Sequence, residues 1–380
     1  MTVLLLMDSF KGSLSSVECG NAAAEGIKAA FPESKTKVLP IADGGEGTLD
    51  ALLQGIGGQE VPLFATGPLG KKIPCRYGIL PDGTAVIEMA SVAGLPLLSK
   101  EERNPMLTTT FGVGEMILDA LNKGCRRFFI GIGGSSTNDG GVGMLTALGF
   151  EFLDEHSIPI PPGGKGLASL SSICKEKADP RLSECIFYIA CDVDNPLLGE
   201  NGCSAVYGPQ KGATKAMVRE LDCSLAKYAR LTKKLFPKAD ENKAGAGAAG
   251  GLGFAFLSYL NGTLQNGTPL VLKVIGAEKE IEKADIVVTG EGRLDHQSVM
   301  GKAPAGVART AKEKGKTVIA FSGCIGKGAK ALNDAGVDAY FAICKGAAAL
   351  EDLMAKETTY QNLKDTAEQA FRLIRAAKKI

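Results

Sequence analysis

The stretch Phe128-Phe-Ile-Gly-Ile-Gly-Gly-Ser-Ser-Thr-Asn-Asp-Gly-Gly-Val-Gly143 constrains the fold more than any other part of the chain. An apolar run that reads as a buried strand breaks into glycines, hydroxyls, one amide and one carboxylate. Val142, Leu145 and Leu148 then follow at helical spacing. A strand, a Gly/Ser loop and a helix start together aim backbone N–H groups and a helix dipole at an anion. On that reading Ser135, Ser136 and Thr137 donate to phosphate oxygens and Asp139 holds a metal ion. The same letters also describe a Gly-rich turn in which Asp139 caps the helix. Recurrence of the arrangement along the chain favours the first reading.

Residues 3–7 read as a buried strand followed by Asp8-Ser-Phe-Lys-Gly-Ser-Leu-Ser15, and Ser15 with Glu18 has capping-box spacing for a helix from about Ser16 to Phe31. A strand over 36–41 leads into Ala42-Asp-Gly-Gly-Glu-Gly-Thr48 and a helix to about Gln54. Polar loops thus fall at strand C-termini, where open α/β sheets place ligands. From 59 to 90, short β-rich runs separated by Gly-Pro and Pro-Asp-Gly turns predict an antiparallel meander. A helix at about 110–122, the central stretch and a Pro/Gly-rich loop at 157–166 come next. A strand over Ile186–Cys191 ends in Asp192-Val-Asp-Asn-Pro, and Gly208-Pro-Gln-Lys-Gly-Ala213 opens a helix from about 214 to 235. Beyond 265 the α/β rhythm returns, with strands at Asp285–Thr289, Thr317–Phe321 and Ala339–Ile343. Gly290-Glu-Gly-Arg-Leu-Asp295 reads as a loop after the first of these.

The fold class expected is α/β with two domains. Residues 1–58 and 265–380 form a Rossmann-like three-layer domain with a parallel sheet, and 59–264 form a large inserted mixed α/β domain. Gly245-Ala-Gly-Ala-Ala-Gly250 matches G-x-G-x-x-G but follows a charged, non-strand stretch, so dinucleotide binding is rejected. A tight helix entry or a close phosphate approach is expected there instead. No Walker A sequence occurs.

Composition removes several function classes. Net charge is +1 with dispersed basic residues, which argues against nucleic acid as the main partner. No apolar run approaches a membrane span. Ten cysteines without a C-x-x-C pair, and only two histidines, make neither a zinc site nor a disulfide framework. Reduced, mostly buried thiols in a cytoplasmic protein are the simplest account. Five loops combine glycine, a carboxylate and often a cation: Asp8/Lys11, Asp43/Glu46, Ser135–Asp139, Asp192/Asp194 with Lys211, and Glu291/Arg293/Asp295 with Lys302. Phosphoryl transfer needs cations for the γ-phosphate and carboxylates for Mg²⁺, and these loops supply both.

The blocks at Asp8–Ser15, Ala42–Thr48, Gly131–Gly141, Cys191–Leu197, Gly208–Ala213, Gly245–Gly251 and Thr289–Asp295 resemble, in order, the signature blocks of the bacterial glycerate kinase family. The resemblance implies ATP-dependent phosphorylation of D-glycerate, usually to 2-phosphoglycerate, in a cleft between two domains. The alternatives are a kinase for another small hydroxy or sugar acid, or a non-catalytic nucleotide or metabolite sensor. On this reading Gly133, Gly134, Ser135, Ser136, Thr137 and Asn138 hold ATP, with Asp139 and Asp192 on its Mg²⁺. Lys11 and Lys211 offset charge on the transferring phosphoryl. Arg293 grips the glycerate carboxylate alongside Asp8, Ser9 and Glu291. Asp43 or Asp295 orients the attacking hydroxyl, and closure of the domains expels water. A monomer or homodimer is expected, with no nucleic acid or membrane partner.

Overall fold

A computed structural model of the chain describes residues 1–299 and 302–377. The chain forms two compact units: Met1–Asp43, Asp50–Gly57 and Asn266–Ile380 make the first, Gly44–Leu49 and Gly58–Gln265 the second. The first opens with β1 (Thr2–Met7), buried at every residue after Thr2. An all-apolar run suits a parallel strand covered on both faces. Ser15 then starts the helix Ser16–Ala30 with the expected reciprocal cap: its Oγ accepts from Glu18 N, and Glu18 accepts from Ser15 N. A short strand, β2 (Lys35–Val38), follows.

In the second unit, β3 (Gln59–Thr66), β4 (Lys72–Ile79) and β5 (Thr84–Glu88) pair antiparallel, as expected. They are only half of a mixed sheet. The helix Phe111–Asn122 carries the chain back so that β6 (Arg127–Gly131) lies parallel to β5. A small ribbon of β7 (Glu151–Leu153) and β8 (Ser172–Cys174) precedes β9 (Ile186–Ala190) and β10 (Thr263–Gln265), both parallel additions. The order is β10-β9-β6-β5-β4-β3.

The chain then completes the first unit with β11 (Ile286–Leu294), β12 (Thr317–Ile325) and β13 (Ala339–Ala342). All five strands are parallel in the order β13-β12-β11-β1-β2. Strand order therefore reverses between β1 and β11. Val3, Leu5 and Met7 pack beneath the helices Ser16–Ala30 and Lys356–Ala377. These two helices approach so closely that a Cβ at Gly26 would stand 2.0 Å from the Lys364 carbonyl oxygen. The alternate residues Leu4 and Leu6 face the opposite side, where Ala303–Glu313, with Pro304 in its first turn, meets Gly267–Val274. The fold class read from sequence, a parallel α/β sheet accompanied by a mixed one, is what the chain adopts.

Two expectations change. Gly290–Leu294 is strand, not loop, because β11 stays paired with β12 as far as Ile325. Glu291 and Arg293 therefore ride on a rigid element. The thiols are all free, but only Cys19, Cys125, Cys191 and Cys203 are buried, and Cys223, Cys324 and Cys344 are exposed. The G-x-G-x-x-G letters make a tight helix entry, one of the two roles expected of them. Ala249, Gly250 and Gly251 are left-handed at φ 51°, 67° and 93°, and a Cβ at Gly250 would stand 2.1 Å from the Thr137 carbonyl oxygen. Their smallness lets backbone meet backbone, with Gly140 N donating to Gly250 O at 3.0 Å.

Candidate active site

A cavity of about 710 Å³ lies within the first unit, and its wall includes residues at the carboxyl ends of β1 and β11, where the strand order reverses. Open α/β sheets leave their ligand crevice at such a point. Asp8, Ser9 and Lys11 come from the turn after β1, Glu291 and Arg293 from the end of β11, and Asp43 and Lys302 complete the polar wall. Asp8 is buried, and its Oδ1 accepts from Ser9 N at 2.7 Å. Burial, reinforced by the nearby Asp43 charge, pushes its pKa up to about 7, against the Ser9 N–H and Lys11. Glu291 is also raised by burial; Ser298 Oγ donates to it, and Lys302 Nζ stands 3.8 Å from its second oxygen. Lys11 Nζ is 4.0 Å from Asp43, and the exposed Arg293 has its Nε 3.2 Å from Asp295. The two lysines, set this far from their carboxylates, can turn to an incoming anion, and a carboxyl ionising near neutrality can accept a proton.

The central loop of the second unit is built differently. Asp139 is buried at the start of the helix Val142–Ala147. Its Oδ2 accepts from Thr110 N at 2.8 Å, Thr110 Oγ1 at 2.9 Å and Gly143 N at 3.2 Å, while Oδ1 accepts from Gly141 N at 3.1 Å. Burial raises its pKa against these donors. Its oxygens are spent on a cap, the alternative that the sequence left open. Lys211, buried, donates from Nζ to Ser135 Oγ at 2.6 Å and to Thr137 O at 2.7 Å; burial pulls its pKa down to about 8. Ser136 Oγ donates to Ala93 O at 2.9 Å, and Asn138 Nδ2 to Ser204 Oγ at 2.9 Å. Thr137 is fully buried, and only Gly133 and Gly134 of this set are exposed. The Ser135 and Ser136 hydroxyls brace a turn, while Thr137 Oγ1 and Asn138 Oδ1 are buried without a hydrogen-bond partner among the described residues.

The sequence matches the profile of the glycerate kinase family over residues 3–375. The chain belongs to the glycerate kinase family. It is 44% identical over 379 residues to the glycerate kinase of Bacillus subtilis strain 168, covering 100% of this chain and 99% of the relative. It is 42% identical to the glycerate 2-kinase of Escherichia coli K12, covering 96% and 95%. A crystal structure from Salmonella typhimurium LT2, proposed to be a glycerate kinase 2, superposes with a TM-score of 0.92 at 40% identity over the whole of both chains.

Among the residues expected to serve a glycerate kinase, Asp8, Ser9, Lys11, Asp43, Glu291 and Arg293 share one cavity, with Asp295 against Arg293. Asp192 is exposed just past β9 in the second unit. Lys211 sits inside the second unit as the brace of the central loop. Thr110, which gives Asp139 two of its donors, escapes sequence reasoning; its one signal is the run Thr108-Thr-Thr110 just ahead of a helix. Ser298 and Lys302, which flank Glu291, are legible only as part of the same block. Equally hidden is an apolar arm of the cavity, lined by Ile325, Ile343, Leu350, Leu353 and Met354. No group of three or more His, Cys, Asp or Glu among the described residues is arranged to hold a metal ion by itself, and no helix among them is long and apolar enough to cross a membrane.

Proposed function

We propose that the chain phosphorylates D-glycerate with ATP and releases 2-phosphoglycerate. The observation that carries this is the first unit's cavity, where Lys11, Arg293 and Lys302 face Asp8, Asp43 and Glu291 at a reversal of strand order. The family match supports the same chemistry. Arg293, planar and exposed, suits a two-pronged grip on the glycerate carboxylate. Asp43 or Asp295 orients the attacking hydroxyl and takes its proton late, since a loose transition state asks little of a base. Lys11 offsets charge on the transferring phosphoryl.

Magnesium is a ligand of the nucleotide in this scheme and asks for one or two carboxylates, not a dense cage. The exposed Asp192 fits that demand, whereas the oxygens of Asp139 are engaged by four donors. When bound, the ion neutralises charge between the outer phosphates.

One coupled assay tests the reading. D-glycerate and Mg–ATP are supplied with enolase, which reports 2-phosphoglycerate directly; a requirement for added phosphoglycerate mutase would instead identify the 3-isomer. ADP formation with a different hydroxy acid, and none with D-glycerate, would replace the substrate.

A further inference from the structure

The cavity of the first unit is larger than a three-carbon acid requires. Its volume of about 710 Å³ falls within the roughly 300–1,000 Å³ of sites that enclose drug-sized ligands. Its lining is also of two kinds. Residues at the carboxyl ends of β1 and β11 make its polar part. Its apolar part comes from Ile325 at the tip of β12, from Ile343 just after β13, and from Leu350, Leu353 and Met354 of the short helix Leu350–Met354. Ile325, Leu350 and Met354 are among the large hydrophobic side chains left exposed, at 39%, 66% and 37%. Apolar side chains gathered at one cavity mouth mark a recognition surface more often than a random scatter does. Glycerate, with an oxygen on every carbon, has nothing to offer such a wall.

Glycine lines part of the same cavity. Gly292 and Gly323 sit on adjacent strands between the register pairs Glu291–Ser322 and Arg293–Cys324. A Cβ at Gly292 would already touch the backbone of the turn after β1, at 3.7 Å from Phe10 Cα and 3.9 Å from Lys11 N. Lys11 and Lys302 line the cavity too, each paired to a carboxylate only at 3.8–4.0 Å. Apolar side chains, glycine backbone and two loosely held ammonium groups in one cavity fit one ligand class: a planar base, a sugar and a chain of phosphates.

We propose that this cavity is the nucleotide site, with the purine ring between Ile325 and Ile343 on one side and the helix Leu350–Met354 on the other, and the phosphates directed to Lys11 and Lys302. The inference rests on the kinase reading above and relocates the nucleotide from the Gly131–Asp139 loop, where Ser135, Ser136 and Asp139 are engaged internally and Thr137 is buried. Asn362, half-buried on the cavity wall, is the polar side chain nearest in kind to what a base edge or ribose needs.

The test is calorimetric titration of the full chain with ADP, with tripolyphosphate and with D-glycerate. The double variant Ile325→Ser/Leu353→Ser should lose about tenfold in ADP affinity, about 1.4 kcal/mol, while tripolyphosphate and D-glycerate stay within about twofold. Unchanged ADP affinity would overturn the assignment. Should the double variant fail to fold, photolabelling of the wild type with 8-azido-ATP decides. Label in peptides spanning residues 317–362 supports the site, and label confined to the second unit ends it. Turnover of D-glycerate by the wild type separates the two readings: product formed with ADP affinity intact in the variant overturns this site alone, whereas no ADP binding by the wild type overturns both.

Discussion

The cavity of the first unit and the central loop of the second are made from the same letters and do opposite things. Both combine glycine with hydroxyls, a carboxylate and a lysine. In the loop the charged groups are close to their partners: Lys211 lies 2.6–2.7 Å from its two acceptors, and Asp139 accepts four hydrogen bonds at 2.8–3.2 Å, while Thr137 Oγ1 and Asn138 Oδ1 are buried without a partner among the described residues. In the cavity the lysines stand 3.8–4.0 Å from their carboxylates, and burial with the Asp43 charge keeps Asp8 partly protonated near pH 7. A satisfied polar group stabilises its surroundings and has little left for a ligand. A poorly satisfied one costs stability and is free to act. Distance to a partner, not residue type, separates the scaffold from the site.

The sharpest way to break this comparison is Asp139→Ala. Removing the carboxylate leaves the N–H groups of Thr110, Gly141 and Gly143 without their acceptor, at a cost of about 3 kcal/mol or more. Urea denaturation should show a lower midpoint with an unchanged slope; a midpoint equal to wild type would mean that the cap is dispensable. Asp192→Asn should do the reverse, keeping the fold and lowering kcat at least ~100-fold, roughly 2.7 kcal/mol of transition-state stabilisation. Near-normal turnover by a folded variant would remove Asp192 from the mechanism.

Asp8 carries a pH signature that the loop lacks. Its carboxyl moves from an ordinary value of 3.8 to about 7 in the fold, so the folded form holds the proton more tightly. Stability from this group is fully present below about pH 4 and is lost as pH rises towards 7 and beyond. Asp8→Asn should therefore raise stability by about 4 kcal/mol at about pH 8 and by far less at about pH 4, read as melting temperatures at the two values. A gain of the same size at both would show that the Asp8 charge costs the fold nothing.

Much of this is legible in the amino-acid sequence. The Ser15/Glu18 spacing announces the reciprocal cap, and the apolar run 3–7 announces the central strand, because both signals are local. Asp8, Lys11, Glu291 and Arg293 group together for the same reason: each lies at or just past the end of a strand. What the sequence could not express was the third dimension of satisfaction. Nothing near Asp139 in the chain announces Thr110, and nothing near Ser135 announces Lys211, 76 residues away. Glu291 and Arg293 read as loop because glycines at 290 and 292 suggest a break, whereas pairing with β12 holds the strand straight through them. The apolar arm escapes notice because Ile325, Ile343 and Leu353 come from three separate segments, each too short to carry a pattern.

The smallest expected effect is the most pointed. Lys11 is exposed, and its ion pair with Asp43 spans 4.0 Å; an exposed pair at that distance contributes at most about 0.5 kcal/mol. Lys11→Met should therefore leave the denaturation midpoint within error of wild type. If the cavity is a site held open at the expense of its own pairing, the same variant must raise the KM for ATP and lower kcat/KM, since an ammonium facing phosphate in a crevice is worth far more than one facing water. A variant that is both stable and fully active would make Lys11 a solvated surface group. One that is inactive and unstable would give it a structural job, and the distinction between the engaged loop and the open cavity would fail at the residue where it is easiest to measure.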